Sequence, residues 1–145
     1  MKLKPKIGID NLKFGMSRNE VVEILGEPSR VIIDPSNEND IILEWRDKLL
    51  RLTFYQNEND RFGYIRTKNP DLTYNGKKII NSKVDYVKKE VFGDLVKEWE
   101  VDDFKFLITH FDIDLWINLD EEYGIVTDFE LGVPFLNDID YDWPI

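Results

Sequence analysis

The stretch from Leu50 to Gln56 alternates without a break, with Leu50, Leu52 and Phe54 on one side and Arg51, Thr53 and Tyr55 on the other. A strand sends successive side chains to opposite faces, so this pattern requires a sheet with one face in a core and one face open. The flanks agree with that reading. Arg46-Asp47-Lys48 and Asn57-Glu58-Asn59-Asp60 read as turns, since Asn and Asp tolerate left-handed backbone and bond to it through their side chains. Ile41 to Trp45 and Phe62 to Lys68 then read as neighbouring strands, and the β-branched run Val31-Ile32-Ile33 as a further one.

A helix precedes these strands. Ser17 with Glu20 three residues on is a capping box, in which each side chain satisfies a free backbone donor of the first turn. Val21, Ile24 and Leu25 follow at helical spacing, and Gly26 with Pro28 stops the helix. The order then restarts. Ser82 and Asp85 form a second capping-box pattern, Val84, Val87 and Val91 repeat at helical spacing, and Gly93 closes the segment. Phe104 to Phe111, Asp114 to Asp120 and Gly124 to Leu131 read as strands, with Glu121-Glu122-Tyr123-Gly124 as the turn between the last two. A shift of 65 residues lays Ser17 over Ser82 and Leu50-Leu52-Phe54 over Leu115-Ile117-Leu119. The expectation is an α+β protein in which residues 1–71 and 72–145 are similar helix-then-antiparallel-strand units in tandem. Together they would form a continuous or paired antiparallel sheet with helices on one face, as two repeats or as one compact domain.

The stretch Phe14-Gly-Met-Ser-Arg-Asn-Glu-Val-Val-Glu-Ile-Leu-Gly-Glu-Pro28 resembles the Gly-Met-Ser/Thr…Glu-Val…Leu-Gly-Glu-Pro signature of small assembly lipoproteins of the SmpA/OmlA type. That family shares its fold with the β-lactamase inhibitor protein, in which two helix-plus-sheet units stand in tandem. The resemblance covers about fifteen residues well and implies a sheet surface that grips another protein. The family's signal and anchoring cysteine are missing here, and Val91-Phe92-Gly93-Asp94 stands where a second Leu-Gly-Glu-Pro would be. In general character the chain also resembles bacterial immunity proteins that neutralise toxins.

Charge is distributed unevenly. Residues 1–71 carry twelve basic and twelve acidic side chains, whereas residues 72–145 carry seven lysines and seventeen acids, which places the whole formal charge of −10 in the second part. Such a field repels phosphate backbones and steers basic proteins, so a basic protein partner is expected and nucleic acid is not. No apolar run approaches the roughly 20 residues that span a bilayer. Nor does an apolar stretch follow Met-Lys-Leu-Lys-Pro-Lys as in a secretory signal, so the expected location is the cytoplasm, with no membrane partner.

The sequence offers little for catalysis. There is no cysteine and one histidine, His110. A catalytic histidine needs a nucleophile and an orienting group beside it, and no serine lies near it in the chain. Zinc would lack its usual ligands. Asp34-Pro-Ser-Asn-Glu-Asn-Asp40 and Asn57-Glu-Asn-Asp60 are oxygen-rich, but lack the glycine and glutamate positions of an EF-hand and read as turns. No glycine-rich phosphate loop occurs. No catalytic residue, metal site or cofactor is therefore expected, and oligomeric state is left open.

The strongest binding signal lies in the last strands. With Leu115, Ile117 and Leu119 facing a core, Asp114, Trp116, Asn118 and Asp120 share the opposite face. In the next strand Val126, Asp128 and Glu130 share one face, opposite Ile125, Thr127, Phe129 and Leu131. An aromatic anchor among carboxylates has the composition of an interface centre. The expected partner-binding set is Asp114, Trp116, Asn118, Asp120, Glu121, Glu122, Tyr123, Asp128 and Glu130, with Asp140, Tyr141 and Trp143 from the acidic, aromatic tail. The functional expectation is a protein-binding inhibitor of the immunity type, acting on a toxin such as a nuclease. The alternative is a non-catalytic assembly or scaffold module holding an endogenous protein.

Overall fold

The computed structural model describes residues 1–102 and 107–144. In chain order the elements are β1 (Leu3–Lys4), β2 (Gly8–Ile9), β3 (Leu12–Lys13), α1 (Arg18–Leu25), β4 (Arg30–Asp34), β5 (Asp40–Trp45), β6 (Leu50–Tyr55), β7 (Arg61–Thr67), β8 (Thr73–Tyr74) and β9 (Lys77–Lys78). They continue with α2 (Val84–Tyr86), which runs into a π-helical turn Val87–Val91, then β10 (Glu100–Asp102), β11 (Leu107–Phe111), β12 (Trp116–Glu122) and β13 (Ile125–Gly132). Eight strands make one antiparallel sheet in the order β10-β11-β12-β13-β7-β6-β5-β4. Two up-and-down meanders, β4 to β7 and β10 to β13, join where β13 pairs with β7, Leu131 opposite Ile65.

The expected α+β arrangement of two helix-then-strand units in tandem is not what the chain forms. The protein is mostly β, built on one large sheet with only two short helices. The first capping box is present, with Ser17 Oγ accepting from Glu20 N–H and the Glu20 carboxylate accepting from Ser17 N–H, yet the helix lasts eight residues. The second box does not form. Ser82 Oγ donates to the Lys78 carbonyl instead, at 3.2 Å. The Val84 N–H donates to Gly124 O at 2.9 Å, so the backbone at the start of this segment is engaged by the β12–β13 hairpin. Lys83 stands at the N-cap without a side-chain bond, and three α-helical residues give way to a π turn. Residues 104–106 of the strand expected at Phe104 to Phe111 lie outside the described residues, and the remainder is β11.

The inner face of the sheet carries the core. Leu50, Leu52 and Phe54 of β6, Phe62 and Ile65 of β7, Ile117 and Leu119 of β12, and Phe129 and Leu131 of β13 are all buried. Phe62 lies between Phe14 and Phe54, with ring centroids 5.0 and 6.0 Å away. Phe92, just after the π turn, stacks on Phe129 at 5.9 Å and on Tyr74 at 5.6 Å. The alternation in β13 is broken by a bulge, since the register of β12 against β13 shifts between Asp120 and Glu121. Two residues on one strand then oppose one on the other, which turns Val126 inward and buries it, rather than leaving it beside Asp128 and Glu130.

Candidate functional site

The opposite face of the sheet is open, and its side chains form rows straight across the strands. One row takes a residue from each of the eight strands: Arg30, Glu44, Arg51, Arg66, Glu130, Asn118, Thr109 and Glu100. The adjacent row is Ile32, Ile42, Thr53, Tyr64, Gly132, Trp116 and Phe111. A polar ladder thus runs beside an apolar and aromatic one. Directly opposed side chains interact across a sheet as i and i+4 neighbours do on a helix.

Above the aromatic row lies a groove of about 1000 Å³. Its floor is Ile42, Arg51, Thr53, Tyr55, Tyr64, Arg66, Trp116 and Glu130. One wall is the Asp34–Asp40 loop together with Asn57 and Glu58. These two loops are tied together, because Asn57 Nδ2 donates to Glu38, and Gln56 N–H donates to Asp40 Oδ1 at 2.9 Å. The other wall is the tail, through Phe135, Ile139, Asp140 and Tyr141. The tail is not an extended arm. It folds back on itself, Leu136 N–H donating to Asp140 O at 2.8 Å and Asp142 N–H to Pro134 O at 2.8 Å. Its rings then dock on the sheet, with Tyr141 5.3 Å from Tyr55 and Phe135 5.8 Å from Phe111. Arg61 sits over the Trp143 ring at 5.3 Å, an attraction between a cation and the negative face of an indole.

Trp116 is the centre of the aromatic row. It is only partly buried, held edge-on by Tyr64 at 5.1 Å and Phe111 at 5.6 Å. Its seat is Gly132: a Cβ there would stand 2.2 Å from the indole Cε3. Gly63 does the same for Tyr55, whose ring would lie 2.3 Å from an added Cβ. Two glycines thus let large rings lie flat on the strands.

A chain of hydrogen bonds links the two halves of the sheet beneath these rings. Thr109 Oγ1 donates to Asn118 Oδ1 at 2.7 Å, Asn118 Nδ2 donates to the Tyr64 hydroxyl at 2.9 Å, and that hydroxyl donates to Glu130 Oε1 at 2.7 Å. Every donor points towards the Glu130 carboxylate. Burial, and then the Glu130 charge, push the Tyr64 hydroxyl well above its ordinary range, so it stays a donor. Tyr64→Phe should cost about 0.5–1.5 kcal/mol in urea unfolding, because it leaves an Asn118 donor and a Glu130 acceptor without partners. An unchanged unfolding midpoint would show that the chain of bonds contributes nothing.

Acids crowd the other side of Glu130. Arg66 binds Asp128 Oδ2 through Nε and Nη2, both at 3.2 Å, and its Nη2 lies 3.9 Å from Asp120 Oδ2. That Asp120 oxygen is shut away from solvent and receives no donor. Burial first, and then the Glu130 carboxyl beside it, raise Asp120 to about 8, far above the ordinary 3.8. Burial and that neighbouring carboxyl thus favour the protonated form of Asp120 over the charged one. Burial works against the charge on Arg66, but Glu130, Asp120 and Asp128 outweigh it, so the guanidinium stays charged.

The expected site residues are therefore divided. Trp116, Asn118, Asp120, Asp128 and Glu130 share the open face, and Asp140 and Tyr141 reach the groove from the tail. Glu121, Glu122 and Tyr123 lie at the far end of β12, roughly 20 Å from Trp116 by strand rise, with Glu121 Oε2 accepting from Gly124 N–H at 2.8 Å to close the turn. Asp114 sits in the β11–β12 loop, its N–H held by Asp112. Trp143 anchors the tail. The groove also takes residues from the first part of the chain that the charge balance did not single out. Six acids and two arginines line it, and Asp34, Glu38, Asp40 and Glu58 among those acids come from residues 1–71. The alternation in β6 marks Arg51, Thr53 and Tyr55 of the floor, but nothing in it marks those four acids.

His110 lies on the inner side of the sheet in register with Ile117, its ring nitrogens 3.3 Å from Glu98 O and 3.1 Å from Asp112 Oδ2. Among the described residues, no group of three or more His, Cys, Asp or Glu could hold a metal ion.

No family model and no curated protein matches this chain. Among solved structures, it superimposes on an extracellular protein containing an SCP domain from Bacillus anthracis str. Ames with a TM-score of 0.60 and 13% sequence identity. The match covers 92% of this chain and 50% of that one, so the chain spans about half of that protein's length. Identity this low speaks for a shared fold alone. Among the described residues, no helix is long and apolar enough to cross a membrane.

Proposed function

We propose that this chain is a non-catalytic protein-binding inhibitor of the bacterial immunity type. It acts in the cytoplasm and covers a basic surface of a toxin, such as the active-site region of a nuclease. The observation that carries this reading is the groove on the open sheet face, where an aromatic row led by Trp116 and Tyr64 lies inside a rim of carboxylates. Aromatic anchors supply contact area at low entropic cost, and the surrounding acids steer a cationic partner and fix its register. With six acids against two arginines in the lining, the partner segment that fits is basic and carries apolar side chains.

The test is binding to the product of the adjacent gene, followed by calorimetry at low and high salt. Affinity should fall by about tenfold or more as salt rises from roughly 0.05 to 0.5 M, because exposed charges are screened over a Debye length of about 10 Å at 0.1 M. Affinity indifferent to salt would remove the electrostatic part of the reading, and no binding at all to that product would remove its immunity part.

A further inference from the structure

Among the described residues, the eight-stranded sheet ends at β4 on one side and β10 on the other, and the two border sequences differ. β10 is Glu100-Val101-Asp102, three residues with an acid at each end. Pairing it with a second copy of itself would set like charges against one another, the usual protection of an exposed edge. β4 is Arg30-Val31-Ile32-Ile33-Asp34, and it carries no such protection. Its Val31 and Ile33 are 58% and 60% exposed on the side of the sheet away from the groove. Arg30 is exposed as well and has no ion pair among the described residues.

We propose that β4 is a self-complementary edge through which two copies of this chain pair antiparallel about a two-fold axis at Ile32. In that register Arg30 stands opposite the second copy's Asp34 at both ends of the strand. Val31 stands opposite Ile33 twice, and Ile32 meets its own counterpart on the axis. Opposite charges and β-branched pairs directly across a ladder are the favoured cross-strand combinations. A two-fold interface must be complementary to itself, and this five-residue strand is. Pro28 and Pro35 bracket the segment and lack the N–H that would extend the ladder, so the register cannot slide far.

Asp34 can take this role while keeping its own turn. Its Oδ1 accepts from the Ser36 N–H and hydroxyl and its Oδ2 from Asn37 Nδ2, which leaves one Oδ2 lone pair for an arginine. Those bonds, led by the one from Ser36, also hold the carboxyl below its ordinary range and keep it charged. Ile32 heads the aromatic and apolar row of the open face, so pairing at β4 would run the two sheets together and make the rows continuous from one copy to the other.

The interface is small, and a small interface gives a weak dimer, with a dissociation constant in the range of about 10–100 μM. Sedimentation equilibrium of the full chain over that range should show monomer and dimer interconverting. Arg30→Asp and Asp34→Arg should each weaken self-association by about tenfold or more, since each sets like charges opposite at both ends. An equimolar mixture of the two variants should recover it, since opposite charges then face each other again. Ile33→Lys should abolish pairing without touching the Asp34 turn. Amide exchange at Val31 to Ile33 should slow as protein concentration rises. A chain that stays monomeric throughout the range would overturn the proposal. So would self-association that survives both Arg30→Asp and Ile33→Lys, or variants that fail to recover pairing when mixed.

Discussion

Substituting Gly132 with alanine should destabilise the protein by about 1–3 kcal/mol, the usual cost of forcing an extra methyl into packed surroundings. The cause is geometric. The new Cβ would stand 2.2 Å from Trp116 Cε3, well inside contact distance, so one of the two must move. The strand cannot yield readily, because Gly132 sits in a ladder between Tyr64 of β7 and Trp116 of β12. The indole cannot simply tilt, because Tyr64 and Phe111 stand edge-on to it at 5.1 and 5.6 Å. Chemical unfolding measures the loss, and near-ultraviolet circular dichroism reports the disturbed ring environment. A variant as stable as the parent, with an unchanged aromatic spectrum, would mean that the indole has room the geometry denies it. Gly132→Ala also separates the two ideas attached to this face: partner binding should weaken with it, whereas self-association through β4 should not.

The second large effect is one of pH. Asp120 holds its proton up to about 8 when folded, while the same group in an unfolded chain releases it near the ordinary 3.8. Between these values the folded protein binds more protons than the unfolded one, so stability falls as pH rises. Asp120→Asn keeps a donor towards Glu130 and has no charge to acquire. The variant should match the parent in acid and exceed it by about 1–3 kcal/mol above pH 8, the typical cost of a buried charge without a partner. Asp40, which burial also raises, adds a slope of the same sign in both proteins, so the difference between them isolates Asp120. Urea unfolding of parent and variant at several pH values measures it. Parallel stability curves would place the extra proton elsewhere.

Much of the open face was legible because strands alternate. Leu50, Leu52 and Phe54 are buried and Arg51, Thr53 and Tyr55 turn outward, as their spacing requires. Leu115, Ile117 and Leu119 are buried behind Trp116, Asn118 and Asp120 in the same way. The first helix was legible from Ser17, Glu20 and Gly26, because a cap is a local device that involves four or five neighbouring residues. The second was not. Whether Ser82 caps a helix is decided by the β12–β13 hairpin about forty residues later, which takes the Val84 N–H for itself. Local propensity loses to tertiary pairing there, and a helix-plus-sheet repeat becomes a sheet with short helical covers. The Asp120/Glu121 bulge is likewise a choice of register and leaves no mark on the alternation of either strand read alone.

The groove was legible only in half. The sequence concentrates its negative charge in residues 72–145, yet four of the six acids of the lining come from the part of the chain whose formal charge is zero. The reason is that local potential depends on which face each charge occupies. Residues 1–71 balance as a whole, but Asp34, Glu38, Asp40 and Glu58 gather at one rim. No count along the sequence contains that information. Tyr64 and Gly132 illustrate the same limit: an ordinary tyrosine and an ordinary glycine become the middle of an aromatic row because β7 and β13 are neighbours.

That adjacency of β7 and β13 also shapes how the chain is made. Residues 61–67 leave the ribosome long before residues 125–132 do, so the newborn first meander carries β7 as a bare margin until β13 has been made. Ile65 and Thr67 face inward on that margin and wait for Leu131 and Phe129 to pair with them. Contacts between such distant segments form slowly, and an unsatisfied strand in the interval is an invitation to pair with the wrong chain. Of the eight strands, the one furthest along the chain thus completes the middle of the sheet rather than its border.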